Sequence, residues 1–184
     1  MPLSTKSHAM KGDADAQFNL ALRYQDGDGV ERDFAKAAHW FNKAANQGHA
    51  AAQYGLALMY GKGQGMQLDE TKSTYWNRKA AERGHQAAQF SLAGSYEKGV
   101  GVAPDPKLAY VWFALAGAKG TKQITTARDV TGAVSFRIAL SAQKGYTVAD
   151  SNRNRLALKM SQPEREAAEK LAQEFFCKYV LPFR

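Results

Sequence analysis

The sequence predicts an all-α solenoid of antiparallel helix pairs. Three observations predict helix pairs in a stack: a fixed period of 36 residues, two apolar stripes of helical spacing in each period, and glycines and aspartates at the ends of those stripes. Ala16-Gln17-Phe18 returns as Ala52-Gln53-Tyr54 and Ala88-Gln89-Phe90. Leu20 returns as Leu56 and Leu92, and Tyr24 as Tyr60 and Tyr96. Trp40, Trp76 and Trp112 follow at the same interval, as do Ala44, Ala80 and Ala116. Self-similarity at one period marks a repeat architecture, because a single helix pair cannot bury its apolar face alone whereas stacked pairs can.

Taken in order, residues 1–13 read as the remnant of a preceding helix or as an N-terminal cap. A shift of 36 residues places Gly12 under Gly48 and Ala9 under Ala45. The repeats then span 14–49, 50–85 and 86–121. In the first helix of each unit, helix A, Ala16, Leu20 and Tyr24 recur at i, i+4 and i+8 beside Gln17 and Ala21, which makes one stripe. Gly27 lies just past the helix end, where a left-handed residue is needed, and Gly29 permits a second bend. Asp33 caps the second helix, helix B, and in the third unit Asp105 is followed by Pro106, the favoured first helical residue. Helix B places Ala37, Trp40, Phe41, Ala44 and Ala45 on one face, where flat alanines let the large rings pack, and Gly48 ends it. The tryptophans are expected to stack layer on layer in one continuous core.

The pattern A-Q-x-x-L-A-x-x-Y-x-x-G-x-G-V-x-x-D…A-x-x-W-F-x-K-A-A-x-Q-G, as it stands from Ala16 to Gly48, resembles the Sel1-like repeat, a relative of the tetratricopeptide repeat with a longer loop between its helices. The resemblance covers residues 9–121. It implies a right-handed superhelix, with helices A lining a concave face. It also implies adaptor or scaffold roles in signalling, secretion or bacterium–host contact. Asn77 departs from the aromatic at Phe41 and Phe113, and Gly117 from the alanine at Ala45. The helix-B cysteines of the disulfide-stapled subgroup are absent.

After Gly120 the period breaks. Residues 122–151 read as an irregular insertion with a short helix around Val134–Gln143, and 152–184 as a C-terminal capping helix pair. The second helix of that pair opens with Ser161-Gln162-Pro163-Glu164, a capping-box pattern. Lys36, His39 and Lys43 on the first helix B become Lys72, Tyr75 and Lys79, and then Leu108, Val111 and Leu115. Three outward positions turned apolar together imply burial. The insertion, through Val134, Phe136, Ile138 and Leu140, is expected to fold back over them.

Composition narrows the function. Of 184 residues, 45% are apolar, which permits a substantial core, and the apolar runs are too short to cross a bilayer. The net charge of +8 is spread along the chain and leans toward the C-terminal half, which favours an acidic partner over a nucleic-acid footprint. A single cysteine, Cys177, excludes an internal disulfide and fits a reducing compartment without excluding a periplasmic one. The N-terminus shows no apolar signal region, so the compartment reads as cytoplasmic, or as periplasmic or secreted if a leader has been removed.

Catalytic constellations are not visible, and no cofactor or metal is expected. Asp26-Gly27-Asp28-Gly29 lacks the glutamate that ends a calcium loop. His49 and His85 recur at the period, too far apart to share an ion. Cys177 is expected to be a buried, inert thiol beside Phe176. The candidate site is therefore the concave face, at helix-A positions that vary while the core stays constant: Asn19 and Ser91, Arg23, Met59 and Ser95, and Asp26, Lys62 and Lys98. The function expected is a protein-interaction scaffold that binds a peptide or helix along that face, as a monomer or weak dimer. A small-molecule binder or enzyme with a pocket under the insertion stays open, as does nucleic-acid binding through the basic C-terminal half.

Overall fold

The computed structural model describes residues 3–118, 124–128, 134–138, 148–180 and 182, the two five-residue segments by their backbone alone. The first seven helices are α1 (Leu3–Met10), α2 (Ala14–Asp26), α3 (Phe34–Asn46), α4 (Ala50–Lys62), α5 (Glu70–Glu82), α6 (Gln86–Lys98) and α7 (Pro106–Gly117). After them come strands β1 (Ile124–Arg128) and β2 (Val134–Ile138), then α8 (Val148–Ala157) and α9 (Gln162–Tyr179). Each helix from α1 to α7, the hairpin aside, packs on the next along the chain, so the array is a helical repeat solenoid.

The same local chemistry rebuilds each unit. Asp33, Asp69 and Asp105 cap α3, α5 and α7, their carboxylates accepting from the backbone N–H of Lys36, Lys72 and Leu108 at 2.9 Å. Gly27, Gly63 and Gly99 end α2, α4 and α6 at φ of 79°, 64° and 73°, the left-handed region that side chains resist. The second loop glycine does more than turn the chain. A Cβ at Gly65 would lie 2.2 Å from the carbonyl oxygen of Phe34, and one at Gly101 would lie 2.1 Å from that of Glu70. These glycines let each loop rest on the start of the preceding helix B, a stacking contact added to the turn requirement of their left-handed φ of 71° and 66°.

Glutamine carries the register between layers. Gln17, Gln53 and Gln89 are buried and donate through Nε2 to the carbonyls of Ala9, Ala45 and Ala81 at 3.0, 3.1 and 3.2 Å. Each bond ties a helix A to the end of the helix before it, adding a second donor to a carbonyl that also accepts from the backbone N–H of the closing glycine, Gly12, Gly48 or Gly84.

The core is layered rather than one uninterrupted spine. One cluster centres on Ala9, Ala16 and Leu20, a second on Phe41, Leu56 and Met59, and a third on Leu92, Trp112 and Phe113. Tyr24 and Trp40 touch both of the first two. Trp112 is buried, whereas Trp40 and Trp76 are half-buried at the edge of the alanine layers. Lys43 lies 4.8 Å over the Trp40 ring and covers part of what remains open.

Two expectations are corrected, and a third, the cover over α7, falls partly outside the described residues. Val134–Ile138 is a strand, antiparallel to Ile124–Arg128 with Ile124 opposite Ile138, where a helix was expected. The segment Val134-Ser135-Phe136-Arg137-Ile138 alternates apolar and polar with period two, which is strand periodicity. Gln143, Leu140 and the side chains of Val134, Phe136 and Ile138 lie outside the described residues. Val111 and Leu115 are buried and Leu108 half-buried as expected; among the described residues α6, α8 and α9 pack on α7, and the side chains through which the insertion was expected to cover it lie outside them. Trp112 meets the rings of Phe175 and Tyr179 at 5.5 and 5.9 Å. Gly117 belongs to the same contact, because a Cβ there would lie 2.7 Å from Asp150 Oδ1 on α8. Cys177 is exposed, not buried, since Phe176 takes the core-facing position on α9.

Candidate interaction face

Helices α2, α4 and α6 are each 13 residues long and carry equivalent caps at both ends, so positions 36 residues apart occupy equivalent places on successive helices. Their N-caps are Asp13, His49 and His85. Asp13 accepts from Ala16 N–H at 2.7 Å, and His49 and His85 accept through Nδ1 from Ala52 and Ala88 at 3.1 and 3.3 Å. The two periodic histidines are thus structural caps, and each ring also rests on an aromatic of its own repeat boundary, Phe18 at 4.6 Å and Tyr54 at 4.7 Å. Among the described residues no three or more His, Cys, Asp or Glu side chains gather as a metal site would require.

The candidate contact residues do not all share a face. Asn19, Asp26, Lys62 and Lys98 are exposed. Ser91 and Ser95 are half-buried, and the Ser95 hydroxyl accepts from Thr74 Oγ1 at 3.3 Å. Met59 is 1% exposed and belongs to the second core cluster, so it offers nothing to a partner. The reason is angular. At about 100° per residue, the position of Arg23, Met59 and Ser95 falls at the edge of the core stripe, and the preceding position falls opposite the core. That preceding position holds Leu22, Leu58 and Gly94, which the sequence reading missed. Leu58 is 38% exposed, and a Cβ at Gly94 would meet nothing within 4 Å. Helical angle measured from the Ala16–Leu20–Tyr24 stripe is the signal that finds it. The face thus consists of three rows: Asn19, Gly55 and Ser91; Leu22, Leu58 and Gly94; Asp26, Lys62 and Lys98.

At the first helix the face deepens into an open hollow of about 390 Å³, lined by Thr5, Asn19, Leu22, Arg23, Asp26 and Asp28. Its origin lies in one missing ring. Between α3 and α4, Phe41 presses on Gly55 so closely that a Cβ would sit 2.9 Å from the ring. One period earlier the two positions hold Thr5 and Asn19, and no ring fills the space. Arg23 runs along the wall, its Nε 3.9 Å from Asp28 Oδ2 and its Nη1 buried without a hydrogen-bond partner.

Shifted titrations fall elsewhere, on structural groups. Burial raises Tyr110, and so does Glu169, which accepts from its hydroxyl at 3.5 Å. Burial also raises Tyr96, against the opposing effect of Arg78, whose Nη2 donates to the Tyr96 hydroxyl at 2.6 Å. Among the described residues no helix is long and apolar enough to cross a membrane.

The chain was then compared with known proteins. A family model described as the Sel1 repeat matches residues 14–49, 50–85 and 86–121. The chain is 44% identical to a Sel1 repeat protein of known structure from Oxalobacter formigenes, over 65% of this chain and 90% of that one, with a TM-score of 0.60. It is also similar to a protective antigen present in uropathogenic Escherichia coli strains that displays an SLR fold. That match has 26% identity and a TM-score of 0.64, and covers 97% of this chain and 41% of the antigen. No curated protein matches the chain.

Proposed function

The chain belongs to the Sel1 repeat family, and from that premise we propose that it is an interaction scaffold that holds a segment of a partner protein along its helix-A face. Proteins of this family typically work as protein–protein interaction scaffolds and are generally not enzymes. One observation carries the choice of face: the glutamine ties and the aspartate caps of helix B recur in all three units, while the rows of helix A that face away from the core change from one unit to the next. The exposed members of those rows, Asn19, Asp26, Leu58, Lys62 and Lys98, can vary at little cost to the fold, and a surface that varies on a constant frame is where recognition resides.

The test is site-specific photocrosslinking in the source cells. A photoreactive residue at Leu58 or Lys98 should capture a partner, and the same residue at Tyr75, on helix B, should not. Adducts formed from Tyr75 alone would overturn the assignment of the face. Lys62→Glu with Lys98→Glu should weaken capture while the thermal unfolding curve stays within about 0.5 kcal/mol of wild type, since both side chains are exposed.

A further inference from the structure

The outermost row of the helix-A face changes sign along the stack. Its first member is Asp26, beside Asp28, and the only cation among the residues that line the hollow, Arg23, lies 3.9 Å from Asp28. Its second and third members are Lys62 and Lys98, exposed and without a carboxylate partner among the described residues, because Glu97 is taken by Arg155. Between this row and the helix starts runs an uncharged strip of Leu22, Leu58 and Gly94, where the bare Gly94 leaves open space. The face is therefore a polarised track: negative at α2, positive at α4 and α6, apolar along the middle.

We infer that the occupant is an extended peptide segment with its charges segregated, a basic side chain at one end seated in the hollow beside Asp26 and acidic side chains at the other end over Lys62 and Lys98. This rests on the helix-A face being the binding surface. An acidic segment throughout would meet Asp26 and Asp28 at one end, and a basic one would meet two unpaired lysines at the other, and juxtaposed like charges disfavour both. The polar lining of the hollow suits a long cationic side chain whose stem lies against Leu22. An extended chain advances about 3.3 Å per residue, so the basic and the acidic side chains fall several residues apart along the peptide.

The experiment is selection of a random 12-residue displayed peptide library on the whole chain at low salt, followed by binding measurements on the enriched peptides. The expected result is enrichment of peptides with segregated charge, bound at least tenfold more tightly than alternating-charge peptides of the same composition. A benzophenone on the acidic end should crosslink to α6. In a variant with Asp26→Lys, Lys62→Glu and Lys98→Glu the same probe should crosslink to α2 instead. Equal binding of segregated and alternating peptides, with crosslinks still on helices A, would overturn the polarity and leave the face intact. Enriched peptides that crosslink outside helices A, or no enrichment at all, would overturn the face and the polarity together.

Discussion

Leu58 and Met59 are adjacent in sequence and differ 38-fold in exposure, 38% against 1%. The difference is one of angle, and it has a measurable consequence. Met59→Ala should cost about 2–5 kcal/mol in urea unfolding, the range for truncating a buried methionine, whereas Leu58→Ala should stay within about 0.5 kcal/mol. A Met59 variant that lost binding would report on the core and not on recognition. Asn77 allows a second test at this scale. It is 5% exposed, occupies the position of Phe41 and Phe113, and leaves its Oδ1 buried without a partner. A buried acceptor without a hydrogen bond carries a desolvation penalty, and removing the whole polar group relieves it. Asn77→Leu should raise stability by about 1 kcal/mol, read as a shift of the denaturant midpoint at constant slope. The sequence shows Asn77 as a departure from pattern, but only coordinates show that its oxygen is buried without a hydrogen-bond partner.

At the scale of elements, the helices were legible because their ends are written in residue types: aspartate before helix B, glycine after helix A, a capping box before α9. Ser161 donates from both its N–H and Oγ to Glu164 at 2.8 and 2.7 Å. The helix-A caps were harder to read, because histidine is an unusual N-cap and its periodicity invites a metal reading. His85→Ala should destabilise by about 1 kcal/mol, and His85→Asp should restore the loss, since Asp13 caps α2 in the same place. The aspartate caps also make stability depend on pH. Backbone and side-chain hydrogen bonds from Lys36 and Lys72 hold Asp33 and Asp69 below the ordinary value of 3.8. The unfolded chain therefore binds protons at these sites more readily than the folded one. Their contribution is complete above pH 3.8 and is lost as pH falls through the lowered folded values. Asp33→Asn with Asp69→Asn keeps a capping oxygen and removes the titration, so the acid limb of the stability–pH curve should flatten below about pH 4. An unchanged acid limb would place the acid sensitivity in other carboxylates.

At the scale of the molecule, the open end of the stack dictates the rest of the chain. Helix α7 is buried from Ala109 through Ala116, eight residues in succession, which a solenoid helix with one free face cannot be. The sequence announced this burial through Leu108, Val111 and Leu115 but did not say what supplies it, because periodicity identifies an apolar face and not its neighbour. The hairpin sits between α7 and its cover in sequence, and proximity along the chain favoured it. The Gly117 notch under Asp150 and the Trp112–Phe175–Tyr179 rings show that α8 and α9 supply cover. If this pair is a cap, its removal has a defined outcome. A chain ending at residue 121 exposes an apolar helix face at the end of the stack, and such faces drive association. Sedimentation should show concentration-dependent oligomers, and the melting temperature should fall. Replacing Leu108, Val111 and Leu115 of the shortened chain by Lys, Tyr and Lys, the residues at Lys72, Tyr75 and Lys79, gives α7 the outward face that α5 carries in open solvent. That triple variant should return to a monomer. A shortened chain that stays monomeric and melts at the full-length temperature without those changes would show that α7 needs no cover, and α8 and α9 would then require a purpose other than closing the stack.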